Sequence, residues 1–159
     1  MAFSPGTLNP HGQNPLNLFI PIREPVREHY KALVHIVAEL KADSMNLVGT
    51  VHFASFVFMN EVTNDGEPYF THLFFNTAFD GDIQTYVQQF VSKLADEFDA
   101  MLVHVAVPDG VIPVRKNAHA FQKYLESVNL PTAQWYGNYP GVSAVQIRAY
   151  ADAAGQTGL

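Results

Sequence analysis

Thr50-Val-His-Phe-Ala-Ser-Phe-Val-Phe-Met59 and Tyr69-Phe-Thr-His-Leu-Phe-Phe-Asn-Thr77, separated by a segment containing Asn64-Asp65-Gly66, decide the architecture of this chain. Both runs are rich in aromatic and β-branched residues, which fit a pleated, half-buried surface. Asp-Gly between two such runs signals a hairpin, because glycine takes positive φ without steric cost. A turn near residues 63–66 pairs His52 with the region of Phe75 to Phe79, and His72 with the stretch from Ser55 to Met59. At about 3.3 Å per strand residue, the two imidazoles then lie too far apart to share a metal ion.

Outward from the hairpin the periodicity changes. Upstream, Val26, Tyr30, Leu33, Val37 and Leu40 recur at spacings of four and three, which predicts a helix from Pro25 to about Asp43. Before it, Leu18-Phe19-Ile20 reads as a short strand closed by Pro21. Downstream, Asp80-Gly81-Asp82 supplies capping oxygens for a second helix, with Ile83, Val87, Phe90, Leu94 and Phe98 on its buried stripe. Met101 to Val107 then has continuous strand character and ends at Pro108-Asp109-Gly110.

This order, βαββαβ, is that of an α+β ferredoxin-like fold, an antiparallel sheet with both helices on one face. A helix–strand–helix extension follows. Phe121, Tyr124, Leu125 and Val128 share one helical face, Ala133 to Tyr136 reads as a fifth strand, and Val142 to about Ala153 reads as a last helix. Residues 1–16 hold Pro5, Gly6, Pro10, Gly12 and Pro15 and are expected to be a flexible arm. Residues 17–154 form the domain and 155–159 a tail.

Composition narrows the function classes. The formal net charge is −6, so a polyanion is repelled on average and nucleic-acid binding is not expected. No cysteine is present, which excludes disulfides, thiolate catalysis and cysteine-held metal centres. No run approaches the ~18 apolar residues of a membrane span and the N-terminus has no leader pattern, so the expectation is a cytoplasmic protein away from the membrane. Charged residues are only 15% of the chain while aromatics reach 13%. One small monomer then has difficulty covering its apolar groups, and the open sheet face points to a homo-oligomer, a dimer.

Strand alternation places His52 with Ala54, Phe56 and Phe58, and His72 with Phe70, Phe74 and Asn76. A histidine in an aromatic row is either a satisfied, half-buried ring or a proton-exchanging group on the wall of an apolar pocket. The second reading makes His52 and His72 the candidate catalytic residues, and Phe56, Phe58, Phe74 and Asn76 the candidate ligand contacts. Trp135, Tyr136 and Tyr139, set around Gly137 and Pro140, line a pocket mouth, anchor an interface or plug the core. No metal site is expected, and no nucleophile elbow, phosphate loop or dinucleotide fingerprint is present.

Gly49-Thr-Val-His-Phe-Ala-Ser-Phe-Val57, Leu73-Phe-Phe-Asn-Thr-Ala-Phe-Asp-Gly81 with Tyr86 and Phe90, and Pro131-Thr-Ala-Gln-Trp-Tyr-Gly-Asn-Tyr-Pro-Gly141 resemble uncharacterised bacterial ferredoxin-like proteins of the dimeric α+β barrel superfamily. The resemblance implies two sheet faces packed together around small-molecule pockets. That group includes cofactor-free monooxygenases and isomerases, and also dye-decolourising peroxidases and chlorite dismutases that hold haem. The leading expectation is therefore a small-molecule-binding protein for a small hydrophobic ligand, as a cofactor-free oxidoreductase or isomerase using a pocket histidine. The first alternative is a non-catalytic interaction subunit. The second is a haem protein: Phe79-Asp80-Gly81 resembles the end of the peroxidase Gly-x-x-Asp-Gly motif, with Thr77 at its first glycine. No cofactor is expected under the leading reading.

Overall fold

The hairpin forms where the turn chemistry places it. Strands β2 (Val51–Val62) and β3 (Tyr69–Asp80) pair antiparallel, from Val62 opposite Tyr69 through Phe56 opposite Phe75 to Phe53 opposite Ala78. Beyond Phe53 the register slips by one residue, so that Val51 faces Phe79 and His52 sits in a β-bulge. The computed structural model describes residues 12–41, 44, 46–64 and 66–155.

Strand β1 (Gln13–Pro21) pairs antiparallel with the other side of β3, Leu18 opposite Phe75 and Leu16 opposite Thr77. The sheet order is β1-β3-β2. Since β1 and β2 both run against β3, they are parallel to one another, and helix α1 (Val26–Glu39) is the crossover between them. Helices α2 (Ile83–Leu102), α3 (Ala118–Val128) and α4 (Ala144–Ala153) complete an α+β architecture.

The first strand is longer than expected. It begins at Gln13, so residues 13–16, read from sequence as part of a flexible arm, belong to the sheet; residues 1–11 lie outside the described residues. Pro15 and Pro21 are accommodated because of parity. Asn17, two residues from Pro15 and four from Pro21, turns its N–H and C=O outward, to Asn129 Oδ1 (2.9 Å) and Leu130 N (2.8 Å). The missing N–H groups of both prolines therefore fall on the outer edge, where no ladder bond is lost.

The expected fourth strand is not formed. Helix α2 runs on to Leu102, and after it the chain meets β1 in a single bridge, Val105 with Ile22, closed by Ala106 N to Pro21 O (2.8 Å) and Arg23 N to His104 O (3.0 Å). The physical reason is that Met101 and Leu102 follow Phe98 at spacings of three and four. The same apolar residues that read as a buried strand complete a buried helical stripe. Ala133 to Tyr136 also forms no strand. That segment belongs to a loop whose one sheet-like contact is the bridge between Asn129 and Leu18.

One face of the sheet carries the core. Leu16, Leu18, Ile20, Leu73, Phe75 and Phe79 are buried against Leu33 of α1, Tyr86, Phe90 and Leu94 of α2, and Phe121 and Leu125 of α3. The aromatic rings interlock edge to face, Phe98 meeting Phe90 at 5.0 Å and Phe121 at 5.8 Å between centroids. The other face presents Phe53, Val57 and Met59 of β2, which are 45%, 44% and 38% exposed.

Candidate functional site

The bulge turns His52 toward the last residue of β3. His52 Nε2 lies 2.7 Å from Asp80 Oδ1, and the two side chains retain only 11% and 18% of their exposure. Asp80 Oδ2 accepts the backbone N–H of Ala144 (2.7 Å), and its own backbone N–H donates to Thr50 O (2.9 Å). One carboxylate thus joins the bulge, the end of β3 and the first turn of α4. Ser143 caps that helix, with Gln146 closing the reciprocal capping box.

These contacts fix the imidazole tautomer. An ionised carboxylate only accepts, so Nε2 is the donor and the neutral ring carries its lone pair on Nδ1. Among the described residues Nδ1 has no hydrogen-bond partner, and it is not among the fully buried unpaired atoms. His52 lines an open groove of about 380 Å³ together with Val51, Phe53 and Ala54 of β2, Asn46, and Ala144, Ile147 and Arg148 of α4. Positions 144, 147 and 148 share a helical face, which explains how one turn of α4 supplies that wall. Arg148 is half-buried, and its Nη1 donates to Asn46 O (3.0 Å).

The remaining candidates fall elsewhere. Register places His72 opposite Met59, so about seven residues of strand, roughly 20 Å, separate it from His52. His72 instead stacks on Phe19 (4.4 Å, 14°) and its Nδ1 contacts Thr71 Oγ1 at 2.8 Å. Phe56 and Phe58 turn toward the helices, against Phe75 (4.7 Å) and Tyr30 (5.1 Å), and Phe70 reaches Tyr30 as well. Phe74 and Asn76 lie in register with Phe19 and Asn17, and Asn76 Nδ2 donates to Asn17 Oδ1. Trp135, Tyr136 and Tyr139 are 39%, 78% and 64% exposed. None of these side chains lines the His52 groove, and the hollows of about 10 and 30 Å³ among the core aromatics hold a water at most.

Sequence reasoning missed two participants. Sequence assigns Asp80 to a helix cap and to a peroxidase-like motif end, not to a partnership with His52, although the pairing register already brings the end of β3 to His52. Arg148 stands in a helix without any motif. Outside the groove lining, His29 Nδ1 lies 2.9 Å from Nδ1 of His104. Burial holds the His104 pKa below the usual imidazole value, with the neighbouring charges of His29 and Arg23 acting in the same direction.

Among the described residues no group of three or more His, Asp or Glu side chains is arranged to hold a metal ion. The residues at the motif-like stretch do not fit haem: Thr77 and Phe79 are fully buried, and both Asp80 oxygens are engaged. No described helix is long and apolar enough to cross a membrane. Comparison with known proteins finds no matching family model, curated protein or solved structure.

Proposed function

We propose that the groove between β2 and α4 is a small-molecule site in which His52, held by Asp80, moves a proton to and from a bound substrate. The observation that carries this reading is the 2.7 Å bond from Nε2 to Asp80 in a ring that lines the groove and whose Nδ1 has no partner among the described residues. A substrate C–H or O–H gives its proton to Nδ1, the pair of electrons stays on the substrate, and the imidazolium is stabilised by Asp80. Returning the proton to a different atom completes an isomerisation, and returning it to the same atom is silent exchange. Neither step needs an oxidant or reductant.

Deuterium wash-in tests this directly. A panel of small carbon acids with activated C–H bonds is incubated with the protein in D₂O and followed by proton NMR. His52→Gln is expected to lower enzyme-dependent exchange by about 10²–10⁴-fold. Equal exchange by the variant, or none by the unaltered protein across the panel, overturns the reading.

The ferredoxin-like fold is part of the same proposal. Its support is the strand order with β3 between two parallel strands, and the bridge of Val105 to Ile22, which lies beside β1 where a fourth strand would pair.

A second reading, self-association, is favoured by the exposed apolar side chains of Phe53, Val57, Tyr136, Val145, Ile147 and Tyr150. Light scattering on a sizing column is expected to give twice the 17.7 kDa chain mass, and Val57→Asp to return it to one. A monomer in both cases removes this reading and leaves the first standing.

A further inference from the structure

The cation on the groove wall identifies what the groove selects. In a chain with nine Lys and Arg against fifteen Asp and Glu, Arg148 makes no ion pair among the described residues, although it is half-buried. Among the described residues its one hydrogen bond is Nη1 to Asn46 O, which leaves further N–H groups of the planar guanidinium to donate. Asp80 is committed elsewhere, Oδ1 to His52 and Oδ2 to the Ala144 N–H. A guanidinium at the edge of such a groove binds a carboxylate through two parallel N–H groups, a charge-assisted fork.

Beside Arg148, Asn46 and His52 the side chains lining the groove wall are apolar. Phe53 and Ile147 are 45% and 42% exposed on it, with Val51, Ala54 and Ala144 behind them. The groove volume, about 380 Å³, falls at the lower end of the ~300–1,000 Å³ typical of small-molecule sites.

From these features we infer that the groove binds a small organic carboxylate, its anionic end on Arg148 and its apolar body on Phe53 and Ile147. This deepens the proton-transfer reading and rests on it for the role of His52. A carboxylate on Arg148 sets the rest of the molecule in the groove that His52 also lines, so Arg148 is a specificity-determining residue and His52 is the group that touches the reacting atom.

Phenylacetate and its neutral isostere phenylacetamide are the probes, titrated against the ¹⁵N-labelled protein. Phenylacetate is expected to shift the amides of residues 51–54 and 144–148 and to bind about ten- to a hundredfold more tightly than the amide, as a charge-assisted hydrogen bond requires. Arg148→Gln is expected to erase that preference, and Arg148→Lys to keep part of it, a point charge without the fork. Equal affinities for the two probes, an unchanged preference in Arg148→Gln, or shifts confined to other residues overturn the inference.

His52→Gln separates the two readings. If that variant keeps the carboxylate preference while losing deuterium exchange, both hold. If it keeps the preference and the exchange is unchanged, the anion site stands and the proton-transfer role fails.

Discussion

At the scale of single residues, His52 and Asp80 form one unit, and each loses its purpose without the other. Replacing Asp80 with Asn leaves one acceptor oxygen for two donors, His52 Nε2 and the Ala144 N–H, so one buried group goes unpaired at a cost of about 1–3 kcal/mol. A double-mutant cycle of His52→Gln with Asp80→Asn, followed by urea unfolding, is expected to give a coupling of about 0.5–3 kcal/mol. If the pair works in proton transfer, Asp80→Asn also displaces the pH profile of exchange, which a purely structural carboxylate would leave in place. His104 supplies the second test. Its pKa in the folded protein is depressed, so the unfolded chain binds the extra proton first as the pH falls below about 6.5. Stability is therefore fully present above that value and declines on acidification through the depressed pKa. Urea midpoints at neutral and mildly acidic pH should show this slope, and His104→Gln should reduce it. The His52 candidate was legible from residue type and strand position; its partner was not, because an aspartate before a helix signals a cap whatever else it touches.

Among the elements, the hairpin and helices were readable, because turn chemistry and apolar spacing agree for each. The helix start at Asp82 is a case: its carboxylate accepts Thr85 N at 2.8 Å and Thr85 Oγ1 at 2.8 Å, which also holds its pKa below the ordinary carboxylate range. Asp82→Ala is expected to cost about 1 kcal/mol in thermal or urea unfolding. The far end of α2 was not readable. Leu94 leaves helical geometry (φ −129°, ψ 22°), and the helix then continues to Leu102 with Met101 and Leu102 buried. A bend of that kind has no local sign, since leucine is a good helix former. What decides the matter is tertiary packing of Phe98 against Phe75 and Phe121, a contact between segments far apart in the sequence. The loop that was read as a fifth strand is tied down differently, by Gln13 donating to the carbonyls of Tyr139 and Val142 and by Thr132 bonding Asn17. Polar ties of this sort leave no apolar periodicity to read.

For the molecule as a whole, the sheet is asymmetric. The middle strand β3 is bonded on both sides, whereas β2 pairs with β3 alone among the described residues. Native-state hydrogen exchange is expected to be slowest in β3, with the amides of β2 that face away from it exchanging faster; uniform protection across β2 would show a further partner along that edge. The composition already indicated apolar surface in excess of what one chain covers, and the exposed Phe53, Val57 and Met59 locate it. Which side of the sheet would carry it was not decided by composition, because the assignment depends on where three helices pack. The two prolines of β1 matter at this scale too. With the N–H-less Pro15 and Pro21 on that margin and the chain's own bridges at Leu18 and Ile22 occupying it, β1 has little left for an incoming chain, while the margin of β2 remains receptive among the described residues. Two molecules that join along their receptive margins turn only proline-guarded ones to the outside, so a stack begun there ends as a closed pair and cannot lengthen into a fibre.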